Sequence, residues 1–285
     1  MVNDTIILKQ GEWQANICPR LGGNIVGLTF RGENVLNPLE NEELLKSDPC
    51  LFGAPVLMPS NRTYEGRFTF EGREYTLPLN EKQNNCHIHG LVMFNRFETI
   101  SCDENSAVLR FSDRENISYP FPFELKVKYS LTDDGLYSAY ELKNIGQGNM
   151  PFTFGLHTTF SEPDSFSCPI SLCQEKDAHH IPTGRYIPLN EQEQRYALAS
   201  PSRGVVISGY YLADGNIAHI GEYEYRVSDN FDHWILFNRR GECGFLCVEP
   251  QSGGVNGLNI PDGHKVLAPN ETICFETFIC RACDA

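Results

Sequence analysis

Between Phe123 and Leu131 the chain alternates apolar and polar residues without a break. Phe123, Leu125, Val127, Tyr129 and Leu131 fall on one parity, and Glu124, Lys126, Lys128 and Ser130 on the other. Successive side chains of a strand point to opposite faces, so this pattern makes one apolar face and one wet face in an extended chain and scatters both in a helix. A half-buried antiparallel strand is predicted. Arg67 to Phe70, then Glu71-Gly72, then Arg73 to Leu77 reads as a hairpin whose Glu-Gly pair supplies the turn. Further strands are expected near 4–9, 24–30, 96–102, 106–112, 136–143, 151–157, 204–209, 232–237, 244–249 and 272–281. Only Asn41 to Lys46 looks helical, and the stretch from Ser161 to Ser202, rich in Pro, Gln, Glu and Ser, reads as a long irregular excursion over the surface.

Many short strands separated by Gly, Pro, Asn and Asp clusters point to a sandwich or barrel and away from alternating strands and helices. A chain of 285 residues exceeds the usual single domain, but all-β sandwiches of this size are common, and no repeat or linker divides it. The expectation is one all-β domain over 1–285.

Charge narrows the partners. With 23 Lys and Arg against 37 Asp and Glu, the formal net charge is -14, and no basic block occurs, so nucleic acid and anionic membrane are not expected. The N-terminal stretch lacks the basic and long apolar regions of a signal peptide, and no run approaches the roughly 18 apolar residues of a spanning helix. A soluble cytoplasmic protein is expected. The 11 cysteines are odd in number and scattered, which suits reduced buried thiols better than a disulfide framework. The closest pairs, Cys243 with Cys247 and Cys280 with Cys283, do not make the two close pairs of a zinc ribbon.

Four clusters carry chemistry-bearing side chains. Met58-Pro-Ser-Asn-Arg62 places an arginine before the hairpin, where it is either an ordinary surface cation or a ligand anchor. In Asn84-Asn-Cys-His-Ile-His-Gly90, an extended backbone would set His87 and His89 on one face. They could be half of a metal site or hydrogen-bonding groups in a polar pocket, and the second is favoured because no third ligand stands at a familiar spacing. In Pro151 to His157, Phe152, Phe154 and Leu156 alternate with Thr153, Gly155 and His157, so His157 lies opposite the apolar parity. By itself such a histidine is more often structural than catalytic. The last cluster comprises Asn230-Phe-Asp-His233 and Gly244 to Gly253. Within it Glu249 ends an apolar run on the parity of Phe245 and Cys247, where a carboxylate must be paired, solvated at a rim, or used.

In this order, the clusters resemble the aldose 1-epimerase (galactose mutarotase) family. The likeness takes in RLGGNIVGL, Asn61-Arg62 before RFTFEGREYTL, the HIHG element, Gly-Leu-His157, Phe-Asp-His at 231–233 and VEPQSG at 248–253. It implies an antiparallel β-sandwich of the galactose mutarotase (supersandwich) type, an enzyme without a cofactor, and a small free aldose as ligand. It makes Glu249 the general base and His157 the general acid. Arg62, His89 and Asp232 become sugar-binding groups, with His87 and Gln251 as further candidates, Gln251 at the rim. No metal is implied. The chain departs from the family pattern at Thr158-Thr159, where Pro and an aromatic are usual, and at Gly90-Leu91, where a second Gly is common.

The chemistry asks for such a set independently. Opening a pyranose removes a proton from the anomeric O1 while the ring oxygen O5 gains one, so a base and an acid must act together. An ordinary Glu (pKa ~4.3) is ionised and an ordinary His (pKa ~6.5) partly protonated near neutrality, which fits these roles. No redox step occurs, in keeping with the lack of a nucleotide fingerprint. Three rivals stand beside this reading. A non-catalytic carbohydrate-binding module would share the fold. A hexose 6-phosphate mutarotase would recruit cations such as Arg67, Arg96 or Arg185. A cupin-like metal enzyme would use His87 and His89.

Overall fold

The structure is a computed structural model that describes residues 4–39, 41–242 and 244–282, with the backbone alone for Glu42. Antiparallel strands dominate it, as the alternation predicts. The strand Phe123–Leu131 lies in an eight-stranded sheet between Ser106–Asp113 and Gly135–Asn144, and Gly135–Asn144 pairs in turn with Thr272–Arg281. Leu125 and Val127 are fully buried and Lys126 is partly exposed, so the parity seen in the sequence becomes the two faces of the sheet. The hairpin forms with Phe70 opposite Arg73, and Glu71 and Gly72 both take left-handed φ values of 49° and 76°. Two positive φ angles give the tight turn whose twist suits the flanking strands.

The second large sheet runs in the order Pro182–Pro188, Ile170–Lys176, Ser208–Ala213, His233–Phe237, Phe245–Ser252, Phe154–Leu156 and Val56–Leu57. Thr159–Ser161 pairs with the start of Phe245–Ser252, beside Phe154–Leu156. The two sheets meet through aromatic side chains: Phe154 stacks on Phe275 at 4.5 Å between ring centroids, and Trp234 meets Tyr225 edge-on at 6.0 Å. One hydrophobic cluster draws residues from Leu8 to Ile279.

This packing decides which side chains are left over. Along Phe245–Ser252, Leu246 and Val248 enter the core; the other parity carries Phe245, Cys247, Glu249 and Gln251. Along His233–Phe237, Trp234 and Leu236 enter the core, leaving His233, Ile235 and Phe237 on the outer face. The register then sets Tyr210, Ile235 and Glu249 in one row across three strands, and Leu212, His233 and Gln251 in the next. Gly155 completes the second row opposite Gln251, where a Cβ would stand only 2.8 Å from the Gln251 side chain. A larger residue there would push the strands apart.

Several expectations are corrected. Ser161 to Ser202 is not an irregular excursion, because it holds the strands Phe166–Ser167, Ile170–Lys176 and Pro182–Pro188 and a helix, Glu191–Leu198. The last strand is exposed at all but its first residue, so no buried parity marks it in the sequence. The helix starts from Asn190, whose side chain caps the backbone while Glu193 reaches back to the Asn190 amide, a reciprocal cap written in the sequence as Asn-x-x-Glu. The strand expected at 204–209 begins only at Ser208. The expected helix is present at Glu42–Ser47. Of the close cysteine pairs, Cys243 and Cys283 lie outside the described residues, while Cys50, Cys86, Cys102, Cys168, Cys173, Cys247 and Cys274 are free thiols. Among the described residues no helix is long and apolar enough to cross a membrane.

Candidate active site

On the outer face of the second sheet lies a cavity of about 240 Å³, lined by Asn61, Arg62, Ile88, His89, His157, His180, Ser208, Tyr210, Ile235, Leu236, Phe237 and Glu249. That is just below the ~300–1,000 Å³ of pockets for drug-sized ligands, a size for a small molecule.

Its floor is Glu249 and His157. Glu249 is 2% exposed and His157 5%, and Oε1 of the carboxyl group stands 3.2 Å from Nε2 of the imidazole. The strand register brings Glu249 here, while the His157 amide, donating to the Pro55 carbonyl, fixes the chain just past Phe154–Leu156. Beyond His157 the two threonines of the sequence departure act as pins. Thr158 Oγ1 shares a 2.8 Å hydrogen bond with the Tyr225 hydroxyl, and Thr159 Oγ1 donates to the Cys50 carbonyl at 2.9 Å.

Burial opposes charge on both groups. It pushes Glu249 up to about 8, a rise moderated by the Gln251 side chain and by Arg62. It drives His157 down to about 4. The protonation expected from ordinary side chains is therefore reversed: near neutrality burial favours a neutral carboxyl group facing a neutral imidazole. The pair holds one proton and no net charge. Gln251 Nε2 donates to the other carboxyl oxygen at 3.1 Å. His157 Nδ1 and Gln251 Oε1 are buried without a hydrogen-bond partner among the described residues.

Arg62 forms one wall and is satisfied on most sides. Its Nε and Nη2 donate to the two oxygens of Glu81 at 2.7 Å each, and Nη1 donates to the Tyr210 hydroxyl at 2.6 Å. This forked geometry fixes the guanidinium plane. Burial works against the charge, yet the Glu81 contacts hold Arg62 above its usual value. Lys176 reaches across the Tyr210 ring at 4.5 Å, and a turn at 177–181, braced by Asp177, carries His180 to the cavity.

The histidine pair is separated. His87 belongs to the strand Cys86–Ile88, is fully buried and donates Nδ1 to the Pro78 carbonyl at 2.7 Å, away from the cavity lining. His89 has left the strand, with φ of 64°, and Gly90 follows at 69°. A Cβ on Gly90 would lie 1.9 Å from the Met58 carbonyl oxygen, so only glycine lets the two chains approach this closely. Through this bend the His89 ring meets His157 edge-on, with centroids 5.1 Å apart, and burial holds His89 well below the usual histidine value. The equal orientation expected of His87 and His89 fails because the strand ends between them.

Of the residues singled out in the sequence, Arg62, His89, His157 and Glu249 line one cavity. His87, Asp232 and Gln251 lie outside its lining. Gln251 is fully buried behind Glu249, not at a rim. Asp232 sits at the start of His233–Phe237, accepting from His233 Nδ1 and the Gly253 amide at 2.6 Å each, with its side chain about 47% exposed. Arg67, Arg96 and Arg185 are also outside the lining, and Arg185 is paired with Glu175 at 2.5 Å. Sequence reasoning missed Tyr210, His180 and Ser208. Tyr210 lay one residue past the misplaced strand, and His180 fell within the misread excursion. The metal reading built on His87 and His89 loses its pair, while a different cluster that spacing could not show brings Cys50 close to His89 and His157.

Comparisons with known proteins place the chain and its fold. Residues 4–212 match the family model of aldose 1-epimerase. The uncharacterized protein YihR of Escherichia coli is 29% identical over 187 residues, covering 63% of this chain and 59% of the relative. Galactose mutarotase of Rattus norvegicus is 30% identical over 170 residues, covering 54% and 47%. The chain spans about half the length of the curated relatives it matches. Among solved structures, a galactose mutarotase-like protein from Clostridium acetobutylicum superposes with a TM-score of 0.89 at 23% identity, covering 96% of this chain and 94% of the other. A putative aldose 1-epimerase from Escherichia coli gives 0.85 at 20%, covering 97% and 98%. The sheets are thus of the galactose mutarotase type, and, by its match over most of its length, the chain belongs to the aldose 1-epimerase family.

Proposed function

We propose that the protein, acting as one domain, is a mutarotase that interconverts the α and β anomers of a free aldose at the Glu249–His157 pair. The observation that carries this reading is the 3.2 Å contact between the two groups. O1 and O5 are bonded to the same carbon, C1, so the base and acid that serve them must themselves be neighbours.

The step balances within the pair. A shift of one proton along the contact turns the neutral pair into carboxylate and imidazolium. Glu249 then takes the O1 proton as the C1–O1 bond becomes a carbonyl, the C1–O5 bond breaks, and O5 takes the His157 proton. Rotation about C1–C2 presents the other carbonyl face, and the reverse transfers close the ring. The pair ends with the one proton it began with, so no external acid, base or cofactor enters. Arg62 and His89 on the walls would hold ring hydroxyls, and Asp232, His87 and Gln251 would support them from outside the lining.

A free sugar is favoured over a 6-phosphate because Arg67, Arg96 and Arg185 lie off the cavity and Arg62 is already engaged by Glu81. Polarimetry with fresh α- and β-anomers of several aldoses and their 6-phosphates tests the reading. Anomer exchange above the buffer rate, insensitive to chelator, is the expected result. A tenfold or greater advantage in kcat/KM for a 6-phosphate, about 1.4 kcal/mol, would overturn the substrate class. Binding of sugars without exchange would make the protein a carbohydrate-binding module.

A further inference from the structure

We infer that the cavity contains an inhibitory site for a thiophilic divalent cation, Zn²⁺, built from Cys50, His89 and His157. Ligand atoms of these three side chains all lie within 4.8 Å of one another. Around tetrahedral Zn²⁺, with Zn–S about 2.3 Å and Zn–N about 2.0–2.1 Å, neighbouring ligand atoms stand roughly 3.5 Å apart, so closing the triad takes at most about 1.3 Å per contact.

Three separate elements supply the ligands. Cys50 belongs to the short turn Pro49–Leu51, His89 to the bend after Cys86–Ile88, and His157 to the segment after Phe154–Leu156. Thr159 ties two of them together: its Oγ1 donates to the Cys50 carbonyl at 2.9 Å and also approaches the His157 carbonyl at 3.4 Å. Nδ1 of His89 and Nδ1 of His157 are both buried with no hydrogen-bond partner among the described residues. Unpaired buried nitrogens of this kind are costly in a structural histidine and are available to a metal. A thiolate with two imidazoles is a set that suits Zn²⁺ and not Mg²⁺ or Ca²⁺, which take oxygen. Three protein ligands leave a fourth position for water on the cavity side.

A second group, His157, Cys247 and Glu249, meets the same distance limit, but all three of its members are buried. Cys50 and His89 are only partly buried, whereas Cys247 is fully buried with its thiol against Thr159 Oγ1 at 3.4 Å, so the first group is the more accessible of the two. Binding expels the Cys50 thiol proton and leaves a thiolate–metal bond. It also occupies His157, which can then no longer exchange a proton with O5. This consequence rests on the mutarotase reading; the metal site itself does not.

The test uses the full-length protein freed of metal by chelation and titrated with Co²⁺ as the spectroscopic probe. Wild type should develop a thiolate-to-cobalt charge-transfer band, which Zn²⁺ abolishes by displacement. Anomer exchange should fall by at least about tenfold at saturating Zn²⁺ and return with EDTA. Cys50→Ser should lose the band and weaken Zn²⁺ inhibition by about tenfold or more while keeping the metal-free rate, and Cys247→Ser should keep both the band and the inhibition. No band in wild type, an unchanged band in Cys50→Ser, a band lost in Cys247→Ser, or full exchange with Zn²⁺ bound would each overturn the inference. If the metal-free protein exchanges no anomers, the functional reading falls, and the cobalt spectra of wild type and the two variants still decide the site.

Discussion

The two ends of the cavity handle burial in opposite ways. At the wall, Arg62 has its charge met by both oxygens of Glu81 and by Tyr210, so the group is held in one orientation. At the floor, Glu249 and His157 meet each other at 3.2 Å, and His157 Nδ1 finds no partner among the described residues. The wall keeps its charges because they are paired, whereas the floor sheds its charges and keeps one movable proton. A saturated ion pair positions a ligand; an undersatisfied acid–base pair can react with one.

That contrast can be broken most forcefully at the floor. Glu249→Gln and His157→Asn each remove a proton carrier while retaining size, so kcat for anomer exchange should fall about 10²–10⁴-fold, roughly 3–5 kcal/mol, with sugar affinity much less changed. The double variant should lose less than the sum of the two, because both groups serve one exchange. Saturation-transfer NMR of the anomeric protons, with sugar binding followed by calorimetry, separates the two effects.

A change at the wall should move stability and binding together. Glu81→Ala leaves Arg62 as an unpaired buried charge, an expected loss of about 3 kcal/mol in chemical denaturation, with KM raised alongside. A variant of full stability and unchanged KM would show that the wall does not orient the ligand. The smallest effect is expected from Tyr210→Phe, which removes only the hydroxyl that accepts from Arg62, costing about 1 kcal/mol in the same denaturation assay. A loss at Tyr210 as large as that at Glu81 would mean that the fork does not dominate.

How far the sequence could be read follows the same physics. The strand Phe123–Leu131 was legible because one face is dry and the other wet. Glu249 was legible because a carboxylate on an apolar parity is an anomaly that burial must explain. The edge strand Pro182–Pro188 was not legible, since it is almost wholly exposed and carries no alternation. Val205 and Val206 drew the next strand too early, and Tyr210 was missed with it. His87 and His89 were read as a pair because alternation assumes that the strand continues, and Gly90 after His89 was the one sign of a bend. Tertiary proximity lay beyond reach: the approach of Cys50 to His89 and His157 depends on three segments meeting, which no local pattern encodes. So did the reversed protonation of the floor, because burial depth sets it.

The shared proton of Glu249 and His157 is read most directly from kcat/KM for anomer exchange as a function of pH. The free pair carries one proton between the two values that burial sets, about 4 for His157 and about 8 for Glu249. Below the first, both groups are protonated and none can accept; above the second, none can donate. A pair that holds one proton over this range should give a plateau roughly four pH units wide, with limits that belong to both groups jointly. A bell confined between about 4.3 and 6.5, the ordinary Glu and His values, would contradict it, as would a profile that Glu249→Gln leaves unchanged.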